Sequence, residues 1–164
     1  MTKTFIPNAE HSTEIVAAYA KAFGQLTQAS IYSELAPLLA EDIYFEDPFN
    51  QLHGKTRTLQ LFAHMFATVQ QPKFIVSDCA LGNPSMHTAY LYWQFHFVYK
   101  GQSQQFDGMS KILINQNGLI YSHIDYWNPA KNLYSKIPVL GWILSKINRK
   151  LALPDNWQAS KNTD

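Results

Sequence analysis

Between residues 86 and 99 every second side chain is apolar: Ala89, Leu91, Trp93, Phe95, Phe97 and Tyr99. The alternate line, Thr88, Tyr90, Tyr92, Gln94 and His96, is more polar. A period of two means a strand with one face buried. Such a strand is stable only with neighbours to pair with and a layer to cover it. Three more candidate strands flank it, at 73–81, 102–115 and 119–127. They are punctuated by Gly82-Asn83-Pro84, Lys100-Gly101 and Asn117-Gly118. Asn-Gly between two apolar runs is the strongest short-range hairpin signal. The second half of the chain therefore reads as a meander of long antiparallel strands.

The cover must come from upstream. Ile15, Ala18, Tyr19, Ala22, Phe23 and Leu26 recur at helical spacing and predict a helix over 13–28, with Ser12 as N-cap. A short helix over 32–39 follows, then a strand, Asp42-Ile43-Tyr44-Phe45-Glu46-Asp47, stopped by Pro48. Gly54 and Thr56 open another helix, with Leu59, Phe62, Ala63 and Phe66 on one line and Arg57, Gln60, His64 and Thr68 on the other. Helices first and strands afterwards predict an α+β fold, a strongly curved antiparallel sheet wrapped on N-terminal helices. Beyond this body, residues 1–130, lies an extension, 131–164, with helical spacing at Leu140, Ile143, Leu144, Ile147 and Leu151. Residues 1–128 hold 7 Lys/Arg against 10 Asp/Glu, and 129–164 hold 6 against 2. A basic, apolar tail over 138–151 has two readings: it covers the sheet or a dimer partner, or it dips Trp142, Ile143 and Leu144 into a membrane surface.

Composition bounds the function classes. With 164 residues, 46% hydrophobic and 15% charged, the chain can build a core without staples. One cysteine excludes an intrachain disulfide or a thiolate metal cluster. A net charge of +1 argues against a polycation that grips nucleic acid. No secretory apolar region and no run of about 20 apolar residues is visible, so a soluble cytoplasmic protein is expected.

Face assignment then picks out candidate site residues. A two-residue turn at Lys100-Gly101 pairs Tyr99 with Gln102, Phe95 with Phe106, Trp93 with Gly108 and Leu91 with Ser110. A two-residue turn at Asn117-Gly118 places Ile112 opposite His123, Ser110 opposite Asp125 and Gly108 opposite Trp127. One face therefore collects Trp93, Phe95, Phe106, Ser110, Ile112, His123, Asp125 and Trp127, an aromatic wall holding one carboxylate, one imidazole and one hydroxyl. A three-residue loop at either turn would flip the downstream strand. Asp47 shares strand phase with Ile43 and Phe45 and would point inward with them.

A carboxylate among apolar walls is poised for proton transfer, and a neighbouring carboxylate or imidazole can divide the acid and base roles. That chemistry selects Asp47, Asp125 and His123. Each has a competing structural reading. Asp47 heads Asp-Pro-Phe-Asn, where Asp closes a turn on its own backbone. Asp125 could pair with a lysine, and His123 could be a satisfied core histidine bonded to Asp125. Ser110 is a small filler or a nucleophile, and no Gly-x-Ser-x-Gly elbow surrounds it. Tyr19 is core packing or a buried hydroxyl that donates to a ligand. His64 sits on the polar helix line and reads as solvated. No histidine spacing suits a metal, so neither metal nor cofactor is expected.

The order of elements resembles the nuclear transport factor 2-like cone fold, of cystatin-like topology, and within it the SnoaL-like and ketosteroid isomerase-like branch. The carriers are the first helix with Tyr19, the strand end Tyr44-Phe45-Glu46-Asp47-Pro48, Gly54 opening a helix, and the closing strand Gly118-Leu119-Ile120 to Asp125-Tyr126-Trp127. The resemblance covers residues 12–130. It implies a general base at Asp47, an oxyanion donor at Tyr19, and a neutral hydroxyl, Ser110, where ketosteroid isomerases place a protonated Asp. SnoaL-like cyclases imply an acid–base role for Asp125, which His123 would tune. The implied function is binding of a small hydrophobic, carbonyl- or enol-bearing molecule in an enclosed pocket. That pocket would be lined by Trp93, Phe95, Phe106, Ser110, Ile112 and Trp127, with cofactor-free isomerisation, cyclisation or hydration. A non-catalytic carrier and a protein- or membrane-docking module are the alternatives. The resemblance also implies a homodimer through the outer sheet face.

Overall fold

The computed structural model describes residues 9–83, 87–99 and 101–132. The chain divides into two units, Met1–Trp127 and Asn128–Asp164. In the second, a short helix spans Pro129–Asn132. The expected tail helix and its membrane-facing stretch, 138–151, lie outside the described residues.

In the first unit helix α1 spans Ala9–Gly24. It buries Val16, Tyr19, Ala20, Ala22 and Phe23; of the line read from the spacing, Tyr19, Ala22 and Phe23 are buried, Ile15 is half-buried and Ala18 is exposed. Ser12 lies inside the helix and not at its N-cap, because the helix reaches back at least to Ala9. It also stops earlier than expected, at Gly24. Thr27 and Ser30 then exchange backbone-to-side-chain bonds of 2.8 and 3.1 Å, which fix a turn in place of a further helical turn. The predicted second helix is a short π turn, Ile31–Leu35, running into a 3-10 turn, Ala36–Leu38, at Pro37.

Strand β1 covers Leu39–Glu46, and β2 is the three-residue Gln51–His53. Helix α2, Lys55–Thr68, starts after Gly54, whose φ of 89° needs a residue without Cβ. Strands β3 (Gln70–Leu81), β4 (Thr88–Tyr99), β5 (Gln102–Ile114) and β6 (Ile120–Tyr126) follow. The six strands form a curved, unclosed sheet in the order β2-β1-β6-β5-β4-β3. Four of the neighbouring pairs are antiparallel, while β1 lies parallel to β6. That parallel pair brings the first strand beside the last, with Phe45 opposite His123.

The register between β4 and β5 is the expected one throughout. Between β5 and β6 Ile112 faces His123 and Ser110 faces Asp125, again as expected, but the turn is different. Asn115 N–H donates to the Leu119 carbonyl at 2.8 Å and Gly118 N–H to the Asn115 carbonyl at 3.0 Å, with Gly118 at φ 78°. This is a three-residue loop with glycine in the left-handed position. By itself it would invert β6. A bulge restores the phase: Ile114 pairs with Ile120 but Leu113 pairs with Ser122, so Tyr121 is the extra residue.

Aromatic rings meet one another on the concave face. Phe23 contacts Phe62, Phe74 and His123, and Phe74 stacks on Phe95 at 4.5 Å. Trp93, Phe95 and Ile112, expected to line a pocket, are core residues here. Among the described residues no helix is long and apolar enough to cross a membrane.

Candidate functional site

The site grows from the closing strand. Alternation along β6 turns His123, Asp125 and Trp127 to the concave face, and β5 sets Ile112 and Ser110 opposite the first two. His123 is wholly buried, with its ring 5.1 Å from Phe45 and 5.4 Å from Phe23. Helix α1 brings Tyr19 to it from the other layer, and the Tyr19 hydroxyl lies 2.7 Å from His123 Nδ1. His123 Nε2 lies 2.7 Å from Asp125 Oδ1. Ser110 Oγ donates to the same oxygen at 2.5 Å, and Trp93 Nε1 donates to Ser110 Oγ at 2.8 Å.

The proton positions follow from what each group can do. Indole N–H only donates, so Ser110 accepts from Trp93 and spends its own proton on Asp125. Asp125 Oδ1 already takes the Ser110 proton as an acceptor, so the pairing that satisfies every link has His123 Nε2 donate to Asp125 and the Tyr19 hydroxyl donate to Nδ1. Burial, and next the negative charge of Asp125, push the Tyr19 hydroxyl well above the ordinary tyrosine range. Tyr19 therefore stays protonated and keeps donating. The chain Trp93–Ser110–Asp125–His123–Tyr19 is satisfied link by link, and it fills only Oδ1 of the carboxylate. Oδ2 takes no part in it, and the Asp125 side chain retains 9% of its surface.

Gly108 makes this geometry available. A Cβ there would stand 2.4 Å from Trp93 Cη2 and 2.5 Å from Cζ2. The indole lies across β5 on the bare glycine, and so reaches from its place opposite Gly108 to the hydroxyl two residues along. Beyond it Phe106 stacks on Trp127 at 4.5 Å, and Phe49 meets Trp127 edge-on at 5.2 Å. Half-buried Phe106 and Trp127 and exposed Phe49 form a rim on the face that carries Asp125.

Two expected roles look different at atomic distance. Asp47 is not brought into the hydrogen-bonded chain. Its Oδ1 accepts from Phe49 N–H and Asn50 N–H, both at 2.7 Å, and from Asn50 Nδ2 at 3.0 Å. The turn reading of Asp-Pro-Phe-Asn describes these bonds, because the strand ends at Glu46 and the chain reverses before Asp47 can continue the strand phase. Tyr19 directs its hydroxyl at His123 and not into open space. The role of Trp93 as a hydrogen-bond donor within the site went unread. The signal was its position opposite a glycine. Among the described residues no group of three or more His, Cys, Asp or Glu could hold a metal ion. Three clefts, of about 560, 300 and 320 Å³, lie away from Asp125: against the end of α1 and β3, along β4 and β5, and between α2 and β2.

The N-terminal helices and the curved, unclosed six-stranded sheet are those of the nuclear transport factor 2-like fold. The chain belongs to the SnoaL-like domain family, whose model matches residues 14–123. A putative polyketide cyclase from Xanthomonas campestris pv. campestris superposes with a TM-score of 0.61 at 17% identity, covering 74% of this chain and 93% of its own. An LEH-like epoxide hydrolase from M. tuberculosis gives 0.60 at 16% identity, covering 90% and 99%. A nuclear transport factor 2-like protein from Anabaena variabilis gives 0.61 at 14% identity, covering 73% and 91%. At such identities the likeness establishes the fold. Among curated proteins none is a significant match.

Proposed function

We propose that the chain binds a small hydrophobic molecule bearing a carbonyl, enol or similar oxygen against the Phe49–Phe106–Trp127 rim, and that Asp125 moves a proton on it. The observation that carries this reading is the one-sided saturation of Asp125: Oδ1 is held by Ser110 and His123, while Oδ2 is outside the chain. A carboxylate fixed in this way can take a proton from carbon or water on Oδ2 and return it to another atom of the substrate. His123 supports the carboxylate, and Tyr19 holds the His123 ring in the tautomer that donates to it. In this arrangement Tyr19 positions His123, and Asp47 holds the rim turn that carries Phe49. The reaction class is isomerisation, cyclisation or hydration without a cofactor. The names of two structural neighbours, a polyketide cyclase and an epoxide hydrolase, support small-molecule chemistry.

The test is deuterium incorporation from D2O into a panel of apolar ketones, followed by NMR. The intact chain should catalyse exchange next to the carbonyl in at least one of them, and Asp125→Asn should lower that rate on the order of a hundredfold or more. Equal rates in both proteins would remove Asp125 as the reacting group. Saturable binding of those ketones without exchange would favour the carrier reading.

The proposal includes a second copy as partner. On the outer face Met109 lies between Tyr92 and Tyr126 on the neighbouring strands, all three exposed. Asp107 and Lys111 flank Met109 along β5. A twofold axis through Met109 would set each Asp107 against the other copy's Lys111.

A further inference from the structure

Outside the proton-transfer site, the polar line of α2 faces a cleft of about 320 Å³, closed on the other side by Asn50 and Leu52. The α2 residues that line it are Arg57, Gln60, Leu61 and His64, one stripe at helical spacing. A volume of this order falls at the small end of the about 300–1,000 Å³ typical of small-molecule sites.

Arg57 is the charged side chain of this cleft, and it is bonded to no carboxylate. The first turn of α2 carries Lys55 and Arg57 and no acidic residue, although the helix dipole disfavours cations there. Lys55 is compensated, with Nζ 3.0 Å from Glu41 Oε1. Arg57 is not: its hydrogen bond goes to the neutral Gln60 amide oxygen, at 3.2 Å. That bond turns the Gln60 NH2 away as a further donor. Asn50 in turn commits its Nδ2 to Asp47. Leu52 and Leu61, both half-buried, add apolar walls beside these donors.

We infer that this cleft binds a small amphipathic monocarboxylate. The planar Arg57 fork meets the carboxylate, Gln60 and His64 contribute donors, and Leu52 and Leu61 take the first part of an apolar chain. One guanidinium with neutral helpers suits a singly charged planar anion, since a carboxylate pairs with the guanidinium fork through two parallel bonds. The inference is independent of the chemistry at Asp125.

The experiment is an amide NMR titration of the full chain with octanoate, octanol and inorganic phosphate. Octanoate should give saturable shifts confined to Asn50, Leu52 and the 57–64 stripe. Arg57→Gln should weaken it about tenfold or more, the range expected for loss of a charge-assisted pair. Leu61→Gln should weaken it as well, while Arg57→Gln, at an exposed position, should keep the melting temperature of the parent. Octanol binding as tightly as octanoate would overturn the anion assignment. Phosphate binding as tightly would overturn the amphipathic carboxylate. Shifts elsewhere, or unchanged affinity in Arg57→Gln, would overturn the site.

Discussion

At the scale of single residues, a buried histidine is held by its donors and acceptors more than by its surroundings. His123 has no exposed surface, so both of its nitrogens must find partners inside the protein. Tyr19 supplies one and Asp125 the other. Tyr19→Phe keeps the ring and removes the hydroxyl, leaving Nδ1 without a partner in the core. It should destabilise the protein by about 1–3 kcal/mol at neutral pH, measured by urea unfolding. The pH dependence has a definite sign. The hydroxyl ionises less readily in the folded chain than in the unfolded one. Its contribution is complete below about pH 10, where a free tyrosine ionises, and is lost as pH rises through the higher folded value. Alkaline loss of stability should therefore be steeper in the parent than in Tyr19→Phe. Tyr44, raised by its hydrogen bond to Glu46, keeps a slope of the same sign in both.

Elements show how a correct pairing can rest on two deviations that cancel. The period-two alternation and Asn117-Gly118 were enough to place Ser110 opposite Asp125 and Ile112 opposite His123. The loop is nevertheless one residue longer than the dipeptide suggests, and the bulge at Tyr121 takes up the difference. Asn115 creates the longer loop: its Oδ1 accepts from Asn117 N–H at 2.9 Å and Leu119 N–H at 3.0 Å. An Asx turn of this kind competes with the two-residue hairpin, and no spacing rule announces which wins. Asn115→Ala removes both bonds. It should cost about 1–3 kcal/mol, since each net hydrogen bond is worth about half to one and a half. Amide exchange should quicken at Asn117 and Leu119 and stay slow at Ile112 and His123. Helix α2 was legible for a simpler reason, because Leu59 and Phe62 repeat on a face that has a sheet to cover. Strand β2 was not, because three residues are too few to show a period.

For the whole molecule, the two faces of one sheet divide the labour. The concave face is filled by Phe23, Phe45, Phe62, Phe74, Trp93 and Phe95 and keeps its polar chain in a dry setting. The convex face leaves Tyr90, Tyr92, Met109 and Tyr126 exposed. Exposed aromatics in one contiguous patch are costly to leave bare and suit a partner surface. The proposed homodimer predicts a mass near twice 18.8 kDa by sedimentation at micromolar concentration. Met109→Glu would place like charges on the twofold axis and should yield monomer with the fold intact. A parent that sediments as a monomer would exclude the dimer.

Local chemistry in the sequence determined helices α1 and α2, the four long strands of the meander and the register between β4 and β5. Each of these follows from a period of two or 3.6 and from turn residues, and such periods are properties of neighbouring residues. The tertiary structure decided the rest. It set β1 parallel to β6, so that Phe45 stacks on His123. It bent Asp47 into a turn, turned the Tyr19 hydroxyl toward His123, and laid Trp93 over Gly108 to reach Ser110. It also packed Trp93, Phe95 and Ile112 into the core. These outcomes depend on which distant side chains share a space, and the spacing of residues along a chain does not carry that information.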